Sequence, residues 1–167
     1  GVIASTEGKK SRQIVEYGIE ALKAVWHRGA VDADGKTGDG AGIHVEIPKD
    51  FFIEKIEVTG HDYDNAEICV GMIFLPRNDY AAQESCKTIV ESELSKNNFS
   101  IYGWRQVPVN PKVLGDKALQ TMPEIIQVLF KSNDINLLDK KLERKIYETR
   151  KRIENKAFQL SLNNFYV

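Results

Sequence analysis

The sequence predicts a single domain that combines α-helices with β-strands, and three stretches indicate this. Residues 67–75, EICVGMIFL, are continuously apolar after the glutamate, which is typical of a strand buried on both faces. Residues 43–47 alternate apolar and polar side chains, as a half-buried strand does. Residues 134–157 are densely charged but carry apolar side chains near helical spacing. At 167 residues, the chain is long enough for one sizeable core.

The first third of the chain predicts a strand, a helix, a loop and a second strand. The apolar start, GVIAS, predicts a strand at residues 1–5, and Ser11 can cap the helix that follows. Gly29 is expected to end that helix, and Pro48 to end the strand at 43–47. The sequence FFIEKIEV then predicts a short further element. The residues expected on the inward face of the helix are Val15, Gly18, Ile19, Leu22, Val25 and Trp26.

The rest of the chain predicts two more helices and three more strands after the apolar run. Helices are expected over residues 79–96 and 134–157. Strands are expected at residues 99–107, 125–130 and 158–167. The inward residues of the first of these helices are expected to be Ala82, Cys86, Ile89, Val90 and Leu94. Those of the second are expected to be Leu137, Leu138, Leu142, Ile146 and Ile153.

Composition argues against several classes of protein. The net charge is −1 at pH 7, so no electrostatic argument favours nucleic acid or an anionic membrane as a partner. No apolar run approaches the roughly 20 residues of a membrane span, and the first residues lack the basic and apolar regions of a signal peptide. Cys69 and Cys86 are too few for a secreted disulfide scaffold and fit a reducing compartment. The sequence therefore predicts a cytoplasmic protein.

Of all stretches in the chain, residues 27–42, HRGAVDADGKTGDGAG, most resemble a binding or catalytic site. Their spacing, however, argues against three common ligand-binding loops. The glycines are one residue too far apart for a phosphate loop, and Asp32 and Asp34 would repel a phosphate. An EF-hand fails because Lys36 occupies a ligand position. The stretch also follows a helix and precedes a strand, the reverse of a dinucleotide-binding turn. Local chemistry therefore favours a glycine-rich connection that brings backbones close together.

In its wider context this loop resembles a known family. The stretches that carry the resemblance cover nearly the whole chain, in order: GVIAS at 1–5, EYGIEALKAVWHRGAVDADGKTGDGAGIHVEIPKDFF at 16–52, VGMIFLP at 70–76, GWRQVPVN at 103–110, MPEIIQ at 122–127, YETRKRIE at 147–154 and FYV at 165–167. Together they resemble the N-terminal glutaminase part of the glutamate synthase large subunit, a class II glutamine amidotransferase of the N-terminal-nucleophile type. The block HRGA…TGDGAGI is specific to that family rather than to amidotransferases in general.

The resemblance implies an α+β fold, namely an Ntn-hydrolase-type αββα four-layer sandwich of which this chain is the N-terminal half. It also implies hydrolysis of L-glutamine to glutamate and ammonia, which a separate synthase domain uses. The family's nucleophile is an N-terminal cysteine whose own α-amino group takes the thiol proton, and an Asn-Gly pair holds the oxyanion. The FMN and the iron–sulfur cluster belong to other domains, so neither a cofactor nor a metal is expected here.

The chain departs from the family pattern at the catalytic groups. It begins at Gly1 rather than at a cysteine, and none of its asparagines precedes a glycine. Cys69 and Cys86 are expected to be inert core thiols. We therefore expect no catalytic residue and no glutaminase activity from these 167 residues alone, and L-glutamine as a ligand only of a complete domain. A gene remnant, a recombinant or proteolytic piece and a section of a longer chain all fit this pattern.

An alternative function is a degenerate, non-catalytic module for interaction or regulation. A partial sandwich would leave sheet edges and an apolar face unpaired, which favours contact with another chain. The expected partners are the remaining synthase domains or a second copy.

Three residues are candidates for lining the family's active site: Arg28, Gly29 and Asp39. Arg28 matches the arginine that the family places near its nucleophile, but it could instead be a cation at a helix C-terminus. Asp39 is expected mainly to shape the turn through bonds to the backbone. His27 is expected to be a satisfied structural histidine. Trp104 is expected to be a core aromatic, and Arg105 a surface or interdomain cation.

Overall fold

The computed structural model of the chain describes residues 1–167 and confirms the mixed α+β class. The elements in chain order are α1 (Arg12–Ala24), α2 (Lys49–Val58), β1 (Cys69–Leu75), α3 (Tyr80–Lys96), β2 (Phe99–Gln106), α4 (Asp116–Thr121), β3 (Glu124–Ser132) and α5 (Asp139–Gln159). Short 3₁₀ turns occur at Trp26–Arg28 and Pro111–Val113. No helix is both long and apolar enough to cross a membrane.

The chain divides into two compact units. Unit 1 comprises Gly1–Glu46 and Asn110–Thr121, and unit 2 comprises Ile47–Val109 and Met122–Val167. Every buried hydrophobic, polar or charged side chain belongs to unit 2. Unit 1 therefore has to keep its conformation without a hydrophobic core of its own.

Unit 2 is built on one antiparallel sheet with the strand order β1-β3-β2. The central strand pairs Val128 with Gly71 of β1 and with Trp104 of β2. The register shifts between Ile101 and Gly103, which marks a bulge in the edge strand β2. One small antiparallel sheet with helices is consistent with part of an αββα sandwich.

Side chains on the two faces of the sheet enter two separate cores, because successive strand residues point to opposite sides. The larger core joins one face to α3 and α5, with Ile73, Val90, Val128 and Ile153 nearly or fully buried. The smaller core joins the other face to α2. It contains Phe52, Ile56, Ile68, Tyr102 and Leu129.

Several expected elements occur close to their expected positions in unit 2. The strands predicted at 67–75, 99–107 and 125–130 correspond to β1, β2 and β3. The helix predicted over 79–96 corresponds to α3, and Asp79 caps it by accepting a hydrogen bond from Ala82 N at 2.9 Å. Strand β1 is less buried than expected, since Met72 is 38% exposed. Trp104 packs partly buried against the larger core, as predicted, and its Nε1 donates to Glu91 at 2.8 Å.

The predictions of strands at residues 1–5, 43–47 and 158–167 are wrong. Residues 1–5 and 43–47 are not strands, because no strand of the chain forms a ladder with them. The last stretch contains the end of α5 and a single bridge between Tyr166 and Phe74. An alternating pattern identifies a strand only where a partner supplies the backbone hydrogen bonds.

Two helix boundaries also differ from the prediction. Helix α1 starts after Ser11, which accepts a hydrogen bond from Gln13 N at 3.2 Å, but it ends at Ala24 rather than at Gly29. It has no buried residue, and Trp26, outside it, is 75% exposed. Helix α5 begins at Asp139 rather than at 134. The Asp134 side chain accepts a bond from Asn136 N at 3.0 Å, and such local bonds compete with helix formation.

Helices α3 and α5 are joined by a nearly buried carboxylate. Glu93 of α3 is 5% exposed and accepts hydrogen bonds from Lys156 of α5 at 2.7 Å and from Lys96 at 3.3 Å. The hydrogen bond from Lys156, helped by Lys96, holds the pKa of Glu93 below its ordinary value. Because the group is enclosed, losing its charge leaves two ammonium groups without their shared partner.

We expect Glu93→Gln to lower the free energy of unfolding at neutral pH by about 1–3 kcal/mol. Since the pKa of Glu93 is lower in the folded chain than its ordinary 4.5, its stabilisation is complete above that value. It is lost as the pH falls through the folded-state pKa, so the two proteins should converge in acid. Urea unfolding across this pH range measures the difference. The control is Glu84→Gln, which removes an exposed pair with Lys87 and should change stability little. A difference that persists unchanged in acid would contradict this assignment.

The two cysteines are free thiols inside unit 2, as predicted. Burial raises the pKa of Cys69 to about 12, with smaller effects of Glu67 and Glu143. Burial likewise raises the pKa of Cys86 to about 11. The thiolate is the reactive form, so neither sulfur is prepared for nucleophilic attack near neutral pH.

A thiol reagent such as DTNB should therefore modify neither cysteine rapidly in the folded chain. At about pH 8 we expect Cys69 and Cys86 to react at least about 100-fold more slowly than in urea-unfolded protein. Stopped-flow absorbance of the released thiolate gives both rates. Rapid reaction of one thiol in the native chain would show an accessible thiolate.

Candidate functional site

The glycine-rich loop, residues 28–40, begins in the 3₁₀ turn that follows α1. In this turn Arg28 N donates to Val25 O at 2.9 Å and Gly29 N donates to Trp26 O at 3.0 Å. The Arg28 side chain is exposed and forms no ion pair within the chain. Lys23 is the basic residue in the last turn of α1, and Arg28 lies beyond that turn. Arg28 is, however, a basic residue in the last turn of the 3₁₀ helix Trp26–Arg28, so the active-site role and the helix C-terminal role both stay predictions.

Beyond Gly29 the loop forms a small hairpin. Val31 and Gly38 make an isolated antiparallel bridge, and Asp32 N donates to Thr37 O at 2.7 Å. At the base of the hairpin, Asp39 Oδ2 accepts a hydrogen bond from Ala30 N at 2.8 Å. Asp39 thus has the loop-shaping role that the sequence predicts.

Asp34 organises the tip of the hairpin. Its carboxylate accepts bonds from the Thr37 hydroxyl at 2.5 Å, from Thr37 N at 2.7 Å and from Lys36 N at 2.9 Å. These bonds, with the Thr37 hydroxyl first, hold the pKa of Asp34 far below its usual range. Gly35 between them has φ +68°, a left-handed conformation that glycine adopts without strain. The aspartates of the loop therefore bind its own backbone.

Two residues from a distant part of the chain contact this hairpin. Gly115 lies against Asp34 and Thr37, and Lys117 Nζ forms an ion pair with Asp32 Oδ2 at 2.6 Å. The sequence carries a local signal for Asp34, because aspartate three residues before threonine can form such a turn. It carries none for Gly115 or Lys117, whose contacts depend on the folded chain.

The remaining sequence-based candidates divide between the units. Arg28, Gly29 and Asp39 occupy one loop of unit 1, whereas Cys69 and Cys86 belong to the core of unit 2. His27 is exposed and its ring makes no hydrogen bond, so the prediction of a satisfied structural histidine is wrong. Arg105, predicted to be a surface or interdomain cation, is half-buried, donates to Gln127 at 2.6 Å and lies over the ring of Phe51.

Neither the loop nor the rest of the chain offers a metal site. No group of three or more His, Cys, Asp or Glu side chains is arranged to hold a metal ion. An iron–sulfur cluster requires several cysteine thiolates, and the chain has two cysteines, both buried. These residues therefore do not fit either kind of centre.

A cleft of about 620 Å³ lies in unit 1 between α1 and the extended stretches 1–3 and 42–45. The side chains that line it are apolar apart from His44 and include Ile14, Val15, Leu22 and Ile43, and backbone groups add some polar surface. Glutamine is a zwitterion with a polar amide and needs charged or hydrogen-bonding groups around it. The cleft is therefore better explained as the unpacked apolar face of α1 than as a glutamine site.

Comparison with known proteins matches the whole chain to one family. Residues 1–167 match the model of class-II glutamine amidotransferases. The chain is 50% identical over 167 residues to the N-terminal region of the glutamate synthase [NADPH] large chain of Azospirillum brasilense, covering 100% of this chain and 11% of that one. It is 38% identical over 155 residues to the chloroplastic ferredoxin-dependent glutamate synthase 2 of Arabidopsis thaliana, covering 92% and 9%.

A third relative is ferredoxin-dependent glutamate synthase 2 of Synechocystis, 33% identical over 168 residues and covering 100% of this chain and 10% of that one. The chain thus spans about a tenth of the length of these relatives. The glycine-rich loop, with its aspartates bonded to its own backbone, lies inside the region that the family model matches. The chain belongs to the class-II glutamine amidotransferases.

Proposed function

We propose that this chain is the front section of the glutaminase domain of a glutamate synthase large subunit, which hydrolyses L-glutamine to glutamate and ammonia. The observation that carries this is the uninterrupted match of all 167 residues to the family, at 50% identity to a glutamate synthase large chain. The relatives use NADPH or ferredoxin according to their names, and this section does not discriminate between the two.

Within such a domain the chain contributes the glycine-rich loop and its support. Arg28 and Gly29 begin the loop, and Asp39 fixes its base by bonding Ala30 N. An exposed guanidinium without an ion-pair partner can orient a carboxylate or a carbonyl oxygen through its planar fork. We therefore place Arg28, Gly29 and Asp39 beside the reacting glutamine.

The sulfur nucleophile does not come from Cys69 or Cys86. Both thiols are buried and their pKa values are raised to about 12 and about 11, so neither supplies a thiolate at a surface that glutamine can reach. The sequence also holds no Asn-Gly pair to bind an oxyanion. These 167 residues are therefore inactive alone and work only together with other parts of a synthase.

The partners and location follow from the same proposal. The remaining synthase domains are the expected neighbours, and they carry the FMN and the iron–sulfur cluster. Two reduced, buried cysteines are compatible with a reducing compartment, and we place the protein in the cytoplasm.

A hybrid large chain tests this function. The residues of the Azospirillum large chain that match this chain are replaced by its 167 residues, and ammonia release from L-glutamine is measured. We expect the hybrid to hydrolyse glutamine, because half of the exchanged residues are identical. The 167-residue chain assayed alone should release no ammonia above background.

The same assay identifies the alternative. A hybrid that folds but releases no ammonia would favour a degenerate, non-catalytic module. Ammonia release by the 167-residue chain alone would instead show a nucleophile that we have not assigned. Circular dichroism and size-exclusion chromatography of the hybrid establish that it is folded.

A further inference from the structure

We propose that Gly115 and Lys117, here called the clasp, are positioning residues that hold the glycine-rich loop in its working conformation. This inference rests on the proposed function for its catalytic consequence, but not for its structural part. The clasp lies in the stretch Asn110–Thr121, which leaves the sheet after β2 and returns to it at β3. That stretch is the second of the two pieces that form unit 1.

The first contact leaves no room for a side chain at position 115. A Cβ placed on Gly115 would overlap Thr37 Oγ1 and Asp34 Oδ2 and would lie 2.5 Å from Thr37 N. All three separations are far below van der Waals contact, and Thr37 N is a backbone atom. Gly115 does not have a left-handed φ, so the requirement for glycine there is steric and not conformational.

The second contact is an ion pair two residues further on. Lys117 Nζ lies 2.6 Å from Asp32 Oδ2, with side chains 67% and 33% exposed. An exposed pair of this kind contributes little by itself. The close packing at Gly115 therefore dominates the clasp, and the ion pair adds orientation.

The contact at the tip is connected to the candidate site by the hydrogen bonds of the hairpin. Thr37 touches Gly115 and accepts the bond from Asp32 N through its carbonyl. The next link is the bridge between Val31 and Gly38, and the last is the Asp39 bond to Ala30 N. A displacement of Thr37 therefore reaches the base of the loop, directly after Gly29.

Unit 1 has no hydrophobic core that could fix this loop. It contains no buried hydrophobic, polar or charged side chain, so hydrophobic packing does not set the loop's position. What remains are the loop's own hydrogen bonds and the contacts from residues 110–121. Local opening should be controlled by the few contacts that a region has.

The structural part is tested in the 167-residue chain with Gly115→Ala and, as matched control, Gly18→Ala. An added Cβ at Gly18 in α1 meets only Ile43 Cγ2, at an ordinary 4.0 Å. By amide hydrogen exchange in NMR, we expect Gly115→Ala to speed exchange at Thr37 and Ala30 at least about 10-fold. Gly18→Ala should leave both rates within about twofold. The Leu129 amide, in the core of unit 2, should stay protected in both variants and shows that the chain is folded.

The catalytic part is tested with the same two substitutions in the hybrid large chain. We expect Gly115→Ala to lower kcat for ammonia release by about 10- to 100-fold, because small displacements of positioning groups have effects of this size. The protein's unfolding midpoint should change little, since Gly115 is outside the core of unit 2. Gly18→Ala should retain activity within about threefold.

The outcomes separate the clasp from the proposed function. Unchanged exchange at Thr37 and Ala30 in Gly115→Ala overturns the clasp, whatever the hybrid does. Faster exchange with full hybrid activity shows that the clasp holds the loop but does not serve catalysis, which overturns the positioning role. If the hybrid without either substitution folds but releases no ammonia, the proposed function itself is overturned. The exchange measurement still decides the structural part.

Discussion

Strand β3 is the element on which the buried part of the molecule depends, because it is the only strand with two partners. Two successive residues show how it works: Val128, 2% exposed, enters the core formed with α3 and α5, and Leu129, fully buried, enters the core formed with α2. The pleat of the strand thus divides one apolar run between two cores. Backbone pairing along both edges then fixes where β1 and β2 present their own side chains.

The dependence of the buried part on pairing with β3 explains which elements could be predicted from the sequence. The apolar runs of β1 and β3 pair with each other inside the chain, so their local pattern and their folded state agree. Residues 43–47 have an equally clear alternating pattern but no ladder, and remain extended without being a strand. Helix α1 shows the same division: Ser11 caps it as predicted, yet its apolar face is not buried. Local chemistry thus determined where α1 starts, whereas burial depended on contacts that the pattern does not contain.

The candidate site likewise has some features that the local sequence predicts and others that it does not. The role of Asp39 follows from the tendency of aspartate to bond nearby backbone amides, and the structure shows such a bond to Ala30 N. The burial of Cys69 and Cys86 followed from their places in an apolar strand and on an apolar helix face. The contact of Gly115 with Asp34 and Thr37 could not be predicted in this way, because no sequence pattern around residue 115 indicates a contact with residues 34–37. Contacts between remote stretches that involve glycine leave almost no trace in a single sequence.

The long separation between the hairpin and its clasp has a consequence for the order of assembly. Asp32 and Lys117 are 85 residues apart, so a ribosome working at about 5–20 residues per second releases the second roughly 4–17 s after the first. During that interval the hairpin has only its short-range bonds, and closing so long a loop also carries an entropic cost. The nascent chain thus completes the surroundings of its candidate site late, and conditions that slow elongation prolong the time for which this segment is open to proteases.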